Sequence, residues 1–73
     1  MPIVPLPVDV SLNGEPKSLA PGVTIRDLLA ELKLDARYLA VEVNRRVIPR
    51  AQHAATALAA GDEIEIVTLV GGG

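Results

Sequence analysis

The sequence predicts an α+β fold in which a mixed sheet of four or five short strands packs on one main helix. Three observations carry this. Apolar and polar residues alternate with a period of two at 8–12, 39–43 and 63–70, the spacing of half-buried strands. A single stretch, from Thr24 to about Lys33, places apolar residues at helical spacing. Asn13-Gly14 joins the first alternating stretch to a second extended one, and both residues accept the positive φ that a tight hairpin needs.

The elements come in order along the chain. Val8, Val10 and Leu12 share one face of the first strand. Glu15 to Leu19 returns beside it, at a sheet edge because Pro16 offers no ladder N–H. Ala20-Pro21-Gly22 then breaks the pattern. Thr24 caps the helix and Asp27, three residues on, reaches back to it, a variant of the capping box. Val23 and Leu28 stand at the positions of a hydrophobic staple. Ile25, Leu28, Leu29 and Leu32 form one stripe, with Arg26, Asp27, Glu31 and Lys33 off it. The helix is expected to end near Lys33, with Leu34 tucked under the sheet.

Asp35 to Tyr38 is a connector. Leu39, Val41 and Val43 align on one strand face, Asn44-Arg45-Arg46 turns the chain, and Val47-Ile48 is a short return stopped by Pro49. Residues 50–60 are Ala-rich and read as a loop with a turn or two, anchored at Thr56 to Leu58. Gly61-Asp62 turns into the final strand, Glu63 to Val70. Hairpin, helix, strand pair, loop and long last strand make the β-grasp plan of ubiquitin. A split βαβ sandwich would need a second helix of comparable quality, which residues 50–60 do not supply. The expected division is a β-grasp domain over 1–69 and a Gly-rich tail over 70–73.

Composition excludes several functions. A chain of 73 residues is one small domain, not a two-lobed enzyme. Nine acidic against seven basic residues leave a net charge of −2, so neither nucleic acid nor an anionic membrane is an expected partner. Tyr38 is the single aromatic residue, too few for stacking bases. Cysteine is absent, which removes disulfides, thiol nucleophiles and thiolate metal ligands. The Pro-broken lead Met1 to Pro7 has no basic region and does not read as a signal peptide. No stretch approaches the roughly 20 apolar residues of a membrane span. The expectation is a cytoplasmic monomer.

Candidates for chemistry are few. His53 lies among alanines with no second histidine, so a solvent-facing or loosely packed ring is expected rather than a metal ligand. Ser11 and Ser18 have no triad motif around them. Glu63 and Glu65, beside Asp62, alternate with Ile64 and Ile66 and read as a solvated strand face. Arg45, Arg46 and Arg50 form a small basic group, a surface turn or a docking contact. No metal site is expected. Gly71-Gly72-Gly73 come after a strand instead of opening a helix, so they are not a phosphate loop. Lacking Cβ atoms, they form a thread that can enter a narrow channel and carry its carboxylate to a partner's active site. Parity places Val67 and Leu69 opposite Ile64 and Ile66, exposed beside that thread. Val67, Leu69, Val70 and Gly71 are therefore candidate partner contacts.

Leu12-Asn13-Gly14-Glu15, Thr24-Ile25-Arg26-Asp27-Leu28-Leu29 and Val41-Glu42-Val43-Asn44 open a series of stretches. Val47-Ile48-Pro49-Arg50, Thr56-Ala57-Leu58, Gly61-Asp62-Glu63-Ile64-Glu65-Ile66-Val67 and Val70-Gly71-Gly72-Gly73 complete it. In this order they resemble the ThiS family, the sulfur carriers of thiamine biosynthesis. There are departures. Arg45-Arg46 stand where an Asn-Gly-like turn is expected, His53 where family members often carry Trp, and the Pro-rich lead is longer than usual.

The resemblance implies a carrier rather than an enzyme, with no cofactor of its own. An E1-like adenylating enzyme would use ATP and Mg to activate the Gly73 carboxylate. A persulfide from a sulfur-donor enzyme would then displace AMP and leave a thiocarboxylate on Gly73, with Gly72 keeping the thread thin. The sulfur would pass to thiazole synthase. Other readings stand beside it: a sulfur carrier for molybdopterin synthesis, a ubiquitin-like modifier, or a β-grasp binding module with an inert tail.

Overall fold

The computed structural model describes residues 6–69. It contains β1 (Val8–Leu12), β2 (Glu15–Leu19), α1 (Ile25–Glu31), β3 (Leu39–Val43), β4 (Arg46–Val47) and β5 (Glu63–Thr68). The five strands form one mixed sheet in the order β2-β1-β5-β3-β4. β5 is central, parallel to β1 and antiparallel to β3. With one helix on one face, this is the predicted ubiquitin-like β-grasp.

Local chemistry sets each join. Asn13 and Gly14 have φ of 50° and 83°, and Leu12 pairs with Glu15 across them, a two-residue hairpin of type I′. Asn13 also has a second role. Its Oδ1 accepts the Ile66 N–H at 2.8 Å, extending the β1–β5 ladder beyond the end of β1. Gly22 has φ 84° and the Val23 N–H reaches the Ala20 carbonyl, as a turn with Pro21 before Gly22 should.

The capping box at α1 is complete. The Asp27 N–H donates to Thr24 Oγ1 at 3.1 Å, and the Thr24 N–H donates to Asp27 Oδ2 at 3.0 Å. The second of these bonds favours the ionised carboxylate, and the Asp27 pKa is lowered, first by the Thr24 backbone N–H and then by the Thr24 side chain. The helix ends at Glu31, two residues before Lys33, with Leu32 as C-cap. Lys33 takes the left-handed conformation at φ 59°, while the Lys33 and Leu34 N–H groups bond the Ala30 and Leu29 carbonyls. That is a Schellman motif with lysine in the usual glycine position.

Ile25, Leu28, Val41 and Ile64 are the most deeply buried large side chains, with Val10, Leu19, Leu29, Val43 and Leu58 around them. The core is wholly aliphatic, so its cohesion comes from close packing of branched side chains between α1 and the inner sheet face.

Four expectations besides that for His53 need correction. Leu34 is not under the sheet; the Schellman turn swings it outward and it is 40% exposed. The second hairpin turn is Asn44-Arg45, at φ 53° and 68°, with Arg46 already paired to Val43 in β4. Ile48 lies beyond β4, although its N–H still bonds the Val41 carbonyl. Residues 50–55 form a six-residue 3₁₀ helix in place of the looser loop expected there. Residues 56–58, next in the chain, are pinned to the start of α1, through Ile25 N–H to Thr56 O and Leu58 N–H to Val23 O. Alanine offers little periodic signal, so the backbone pairing that orders this segment is invisible in its composition.

His53 is the largest departure. It is 4% exposed, and its Nε2 lies 2.9 Å from the Ile48 carbonyl oxygen. A carbonyl only accepts, so Nε2 carries the proton. The 3₁₀ turn places the ring on its inward side, a rotation that sequence spacing among alanines does not reveal.

Candidate functional site: the outer sheet face and the end of β5

The sheet face turned away from α1 collects the outward residues of three strands. Ala40 pairs with Val67, Glu42 with Glu65, and Glu42 again with Val47. Cross-strand partners share a face, so these side chains lie side by side. Val47, Val67 and Leu69 are exposed at 66%, 48% and 51%. Beside them Glu42 and Glu65 stand opposite each other, and neither has a cationic partner among the described residues. Like charges placed so cost stability in the free domain. Val67 and Leu69 thus form a small exposed apolar group at the end of β5, and Glu42 stands between Val47 and that strand.

The end of β5 is held by a small polar stack. The Leu69 N–H donates to the Tyr38 carbonyl at 2.7 Å. Tyr38 closes a 3₁₀ turn, Ala36–Tyr38, capped by Asp35, whose Oδ1 accepts the Arg37 N–H at 2.9 Å. The Arg37 guanidinium grips the same carboxylate, with Nη2 to Oδ2 at 2.7 Å, and lies 5.4 Å from the centre of the Tyr38 ring. Arg37 holds the Asp35 carboxyl down at about 2, first by its side chain and then by its backbone N–H, and Asp35 raises Arg37 in return. By sequence alone, Asp35 to Tyr38 is a plain connector. The usable signal is an aspartate two residues before an arginine, the spacing of an Asx turn.

The other polar candidates have structural partners. Ser18 Oγ donates to Asp9 at 2.7 Å on the outer face. Asp62 accepts from Asn44 Nδ2 and from the Ala59 N–H, tying the turn before β5 to the β3–β4 hairpin. Glu63 and Glu65 are exposed, as their alternation implied. Arg45, Arg46 and Arg50 are exposed but separate, two in the hairpin and one at the start of the 3₁₀ helix. Among the described residues no cluster of histidine and acidic side chains could hold a metal ion. No helix there is long and apolar enough to cross a membrane. Of the candidate partner contacts and tail residues, Val67 and Leu69 are described; Val70, Gly71, Gly72 and Gly73 lie outside the described residues.

A family model for the ThiS family matches residues 10–73, which takes in both the β-grasp elements and the glycine run. The chain belongs to the ThiS family. Its relatives include the sulfur carrier protein ThiS of Bacillus subtilis, 42% identical over 50 residues that make up 68% of this chain and 76% of that protein. A thiazole synthase of Paramagnetospirillum magneticum is 40% identical over 62 residues, 85% of this chain but 19% of that one. A thiazole synthase of Magnetococcus marinus is 39% identical over 64 residues, 88% of this chain and 20% of that one. The chain thus spans about a fifth of the length of these two relatives. Among solved structures, the crystal structure of the thiamine biosynthesis protein ThiS from Geobacter metallireducens superposes with a TM-score of 0.79 at 33% identity. The match covers 90% of this chain and 100% of that one.

Proposed function

We propose that this chain is a sulfur carrier of thiamine biosynthesis that bears its sulfur as a thiocarboxylate on Gly73. The observation that carries the reading is the ThiS-family match, which runs to residue 73 and so includes Gly71-Gly72-Gly73. The chemistry needs no catalytic side chain on the carrier. A carboxylate oxygen of Gly73 attacks the α-phosphorus of ATP on an E1-like enzyme, with Mg there, and pyrophosphate leaves. The terminal sulfur of a donor persulfide attacks the acyl carbon and AMP leaves. A thiol then takes over the remaining S–S bond and releases the thiocarboxylate. The absence of cysteine from the chain agrees with a sulfur held on the terminal carbonyl.

The exposed Val67 and Leu69 at the end of β5 support docking of the adenylating enzyme there. Gly71 and Gly72 keep the thread thin, and Val70 joins it to that apolar group. The thiazole synthases among the relatives support thiazole synthase as the acceptor; a cytoplasmic location is part of the proposal.

The test is mass spectrometry after incubation with ATP, Mg, an adenylating enzyme and a persulfide source. Wild type should gain the mass difference between sulfur and oxygen on the peptide ending at Gly73. A form with residues appended after Gly73 and Gly72→Val should both stay unmodified while remaining folded. Sulfur on an internal residue, or on the extended form, would sink the proposal. An isopeptide adduct on a target lysine would point to a modifier instead.

A further inference from the structure

A pocket of about 380 Å³ opens on the helix side of the domain, between α1 and the 3₁₀ helix Arg50–Ala55. The outer sheet face lies on the far side of the core from it. Leu29, Leu34 and Ala54 give it an apolar lining, and Arg26 and Arg50 also line it. Both arginines are exposed and neither has a carboxylate partner among the described residues; the carboxylate of Asp35 is bonded to Arg37. Neither arginine is in a salt bridge there, although Asp27 lies near enough to Arg26, and Asp35 to Arg50, to feel its charge, so two guanidinium groups with open hydrogen-bonding edges stand at one apolar pocket.

His53 forms part of the same wall. Its Nε2–H is committed to the Ile48 carbonyl, and its buried Nδ1 has no partner among the described residues. A buried polar atom without a partner is uncommon, but Nδ1 has almost no accessible surface, so His53 contributes packing to this wall and not a contact for a ligand. The pocket is open at its mouth, where Leu34, Ala30 and Ala54 are exposed. A small molecule would remain largely in water there, whereas small-molecule sites bury roughly 70–90% of the ligand surface. A protein segment would cover the pocket and its apolar surround together.

We propose that this pocket docks an acidic segment of a partner protein, which inserts an apolar side chain between α1 and the 3₁₀ helix and sets carboxylates against Arg26 and Arg50. Guanidinium groups bind carboxylates in a planar, two-pronged geometry, so the pair gives direction as well as attraction. Because the pocket faces away from the outer sheet face, a partner held here leaves that face free for another. The proposal goes beyond the sulfur-carrier reading and does not depend on it.

The experiment is a titration of the ¹⁵N-labelled chain with a short synthetic peptide carrying a leucine–phenylalanine pair between glutamates. One control peptide has glutamines for the glutamates, another has glycines for the apolar pair, and phenylacetate serves as a small-molecule arm. The acidic apolar peptide should shift amides within 26–36 and 50–54 and leave the outer face unmoved. Its affinity should fall at least about fivefold in Arg26→Gln/Arg50→Gln, since exposed charge pairs act mainly through pairing and steering. It should also weaken in about 1 M salt, where the screening length is roughly 3 Å. Ala54→Glu, at an exposed position that leaves the core intact, should abolish the shifts. Equal binding of the glutamine peptide, shifts confined to Glu63–Leu69, or no shift at millimolar peptide would each overturn the proposal. Phenylacetate matching the peptide would make the pocket a small-molecule site and overturn it equally.

Discussion

Leu28 and Leu29 are neighbours on α1, and both are buried, yet truncating them should cost different amounts. Leu28 has no exposed surface and sits in the centre of the core with Ile25, Val41 and Ile64. Leu28→Ala removes three carbon groups at about 0.8 kcal/mol each, a transfer loss of roughly 2.4 kcal/mol. The enclosed space left behind, on the order of 60–80 Å³ at about 24 cal/mol per Å³, adds about 1.5–2 kcal/mol, for a total near 4 kcal/mol. Leu29 also touches the pocket between α1 and the 3₁₀ helix. Space opened there joins a volume that water reaches, so Leu29→Ala should cost only the transfer part, about 2–3 kcal/mol. A domain of this size has roughly 4–11 kcal/mol of total stability, so Leu28→Ala should bring it close to unfolding at room temperature. Urea unfolding followed by far-ultraviolet circular dichroism measures both on one scale. A loss below about 1 kcal/mol for Leu28→Ala would show that the aliphatic core is not packed at interior density. A larger loss at Leu29 than at Leu28 would refute the placement of the pocket.

Arg45 holds φ 68° in a two-residue hairpin turn. Arg45→Gly relieves its Cβ and should raise the stability by about 0.5–1 kcal/mol in the same urea experiment. The Asp35 carboxyl should titrate near pH 2 by NMR, and should move up toward, but stay below, its ordinary value of 3.8 in Arg37→Gln, which keeps the backbone N–H of residue 37. Because its folded pKa is lowered, the contribution of this contact is present above about pH 4 and is lost as the pH falls through 2. The Leu69 and Tyr38 amide signals should report its loss. His53→Ala should cost about 2–3 kcal/mol, since it leaves the Ile48 carbonyl unpaired and enlarges a void; a ring in solvent would cost under about 0.5 kcal/mol. Val67→Asp should weaken binding to the adenylating enzyme at least about tenfold in calorimetry, with unfolding within about 0.5 kcal/mol of wild type. Unchanged affinity would remove the outer sheet face from the docking proposal.

Periodic segments were legible because one residue type repeated on one face decides them. The helix stripe Ile25-Leu28-Leu29 and the alternation in β1, β3 and β5 needed no knowledge of the rest of the chain. The Thr24–Asp27 capping box and the Asn13-Gly14 turn were equally local, each closed by bonds within a few residues. The exposed placement of Val67 and Leu69 came from parity against Ile64 and Ile66 alone. The segments that differ from expectation are those whose order comes from elsewhere. The 3₁₀ helix at 50–55 is braced by pairing of 56–58 with the start of α1, over thirty residues away in sequence.

The sequence by itself determined the β-grasp plan, the aliphatic core, the alternation that leaves Val67 and Leu69 outward, and the ThiS-like order of motifs. The first three depend on short-range spacing, where the periods of helix and strand and the geometry of a turn act on neighbouring residues, while the last is a resemblance spread over the whole chain. Only the tertiary structure decided that His53 is buried, that Asn13 extends the β1–β5 ladder, and that Arg26 and Arg50 share a pocket. The same is true of the stack in which Asp35, Arg37 and Tyr38 brace the end of β5. These features arise when elements distant in the chain meet. Backbone donors and acceptors left open by one element are satisfied by another, and the side chains carried with them are brought together without any pattern in the sequence between them.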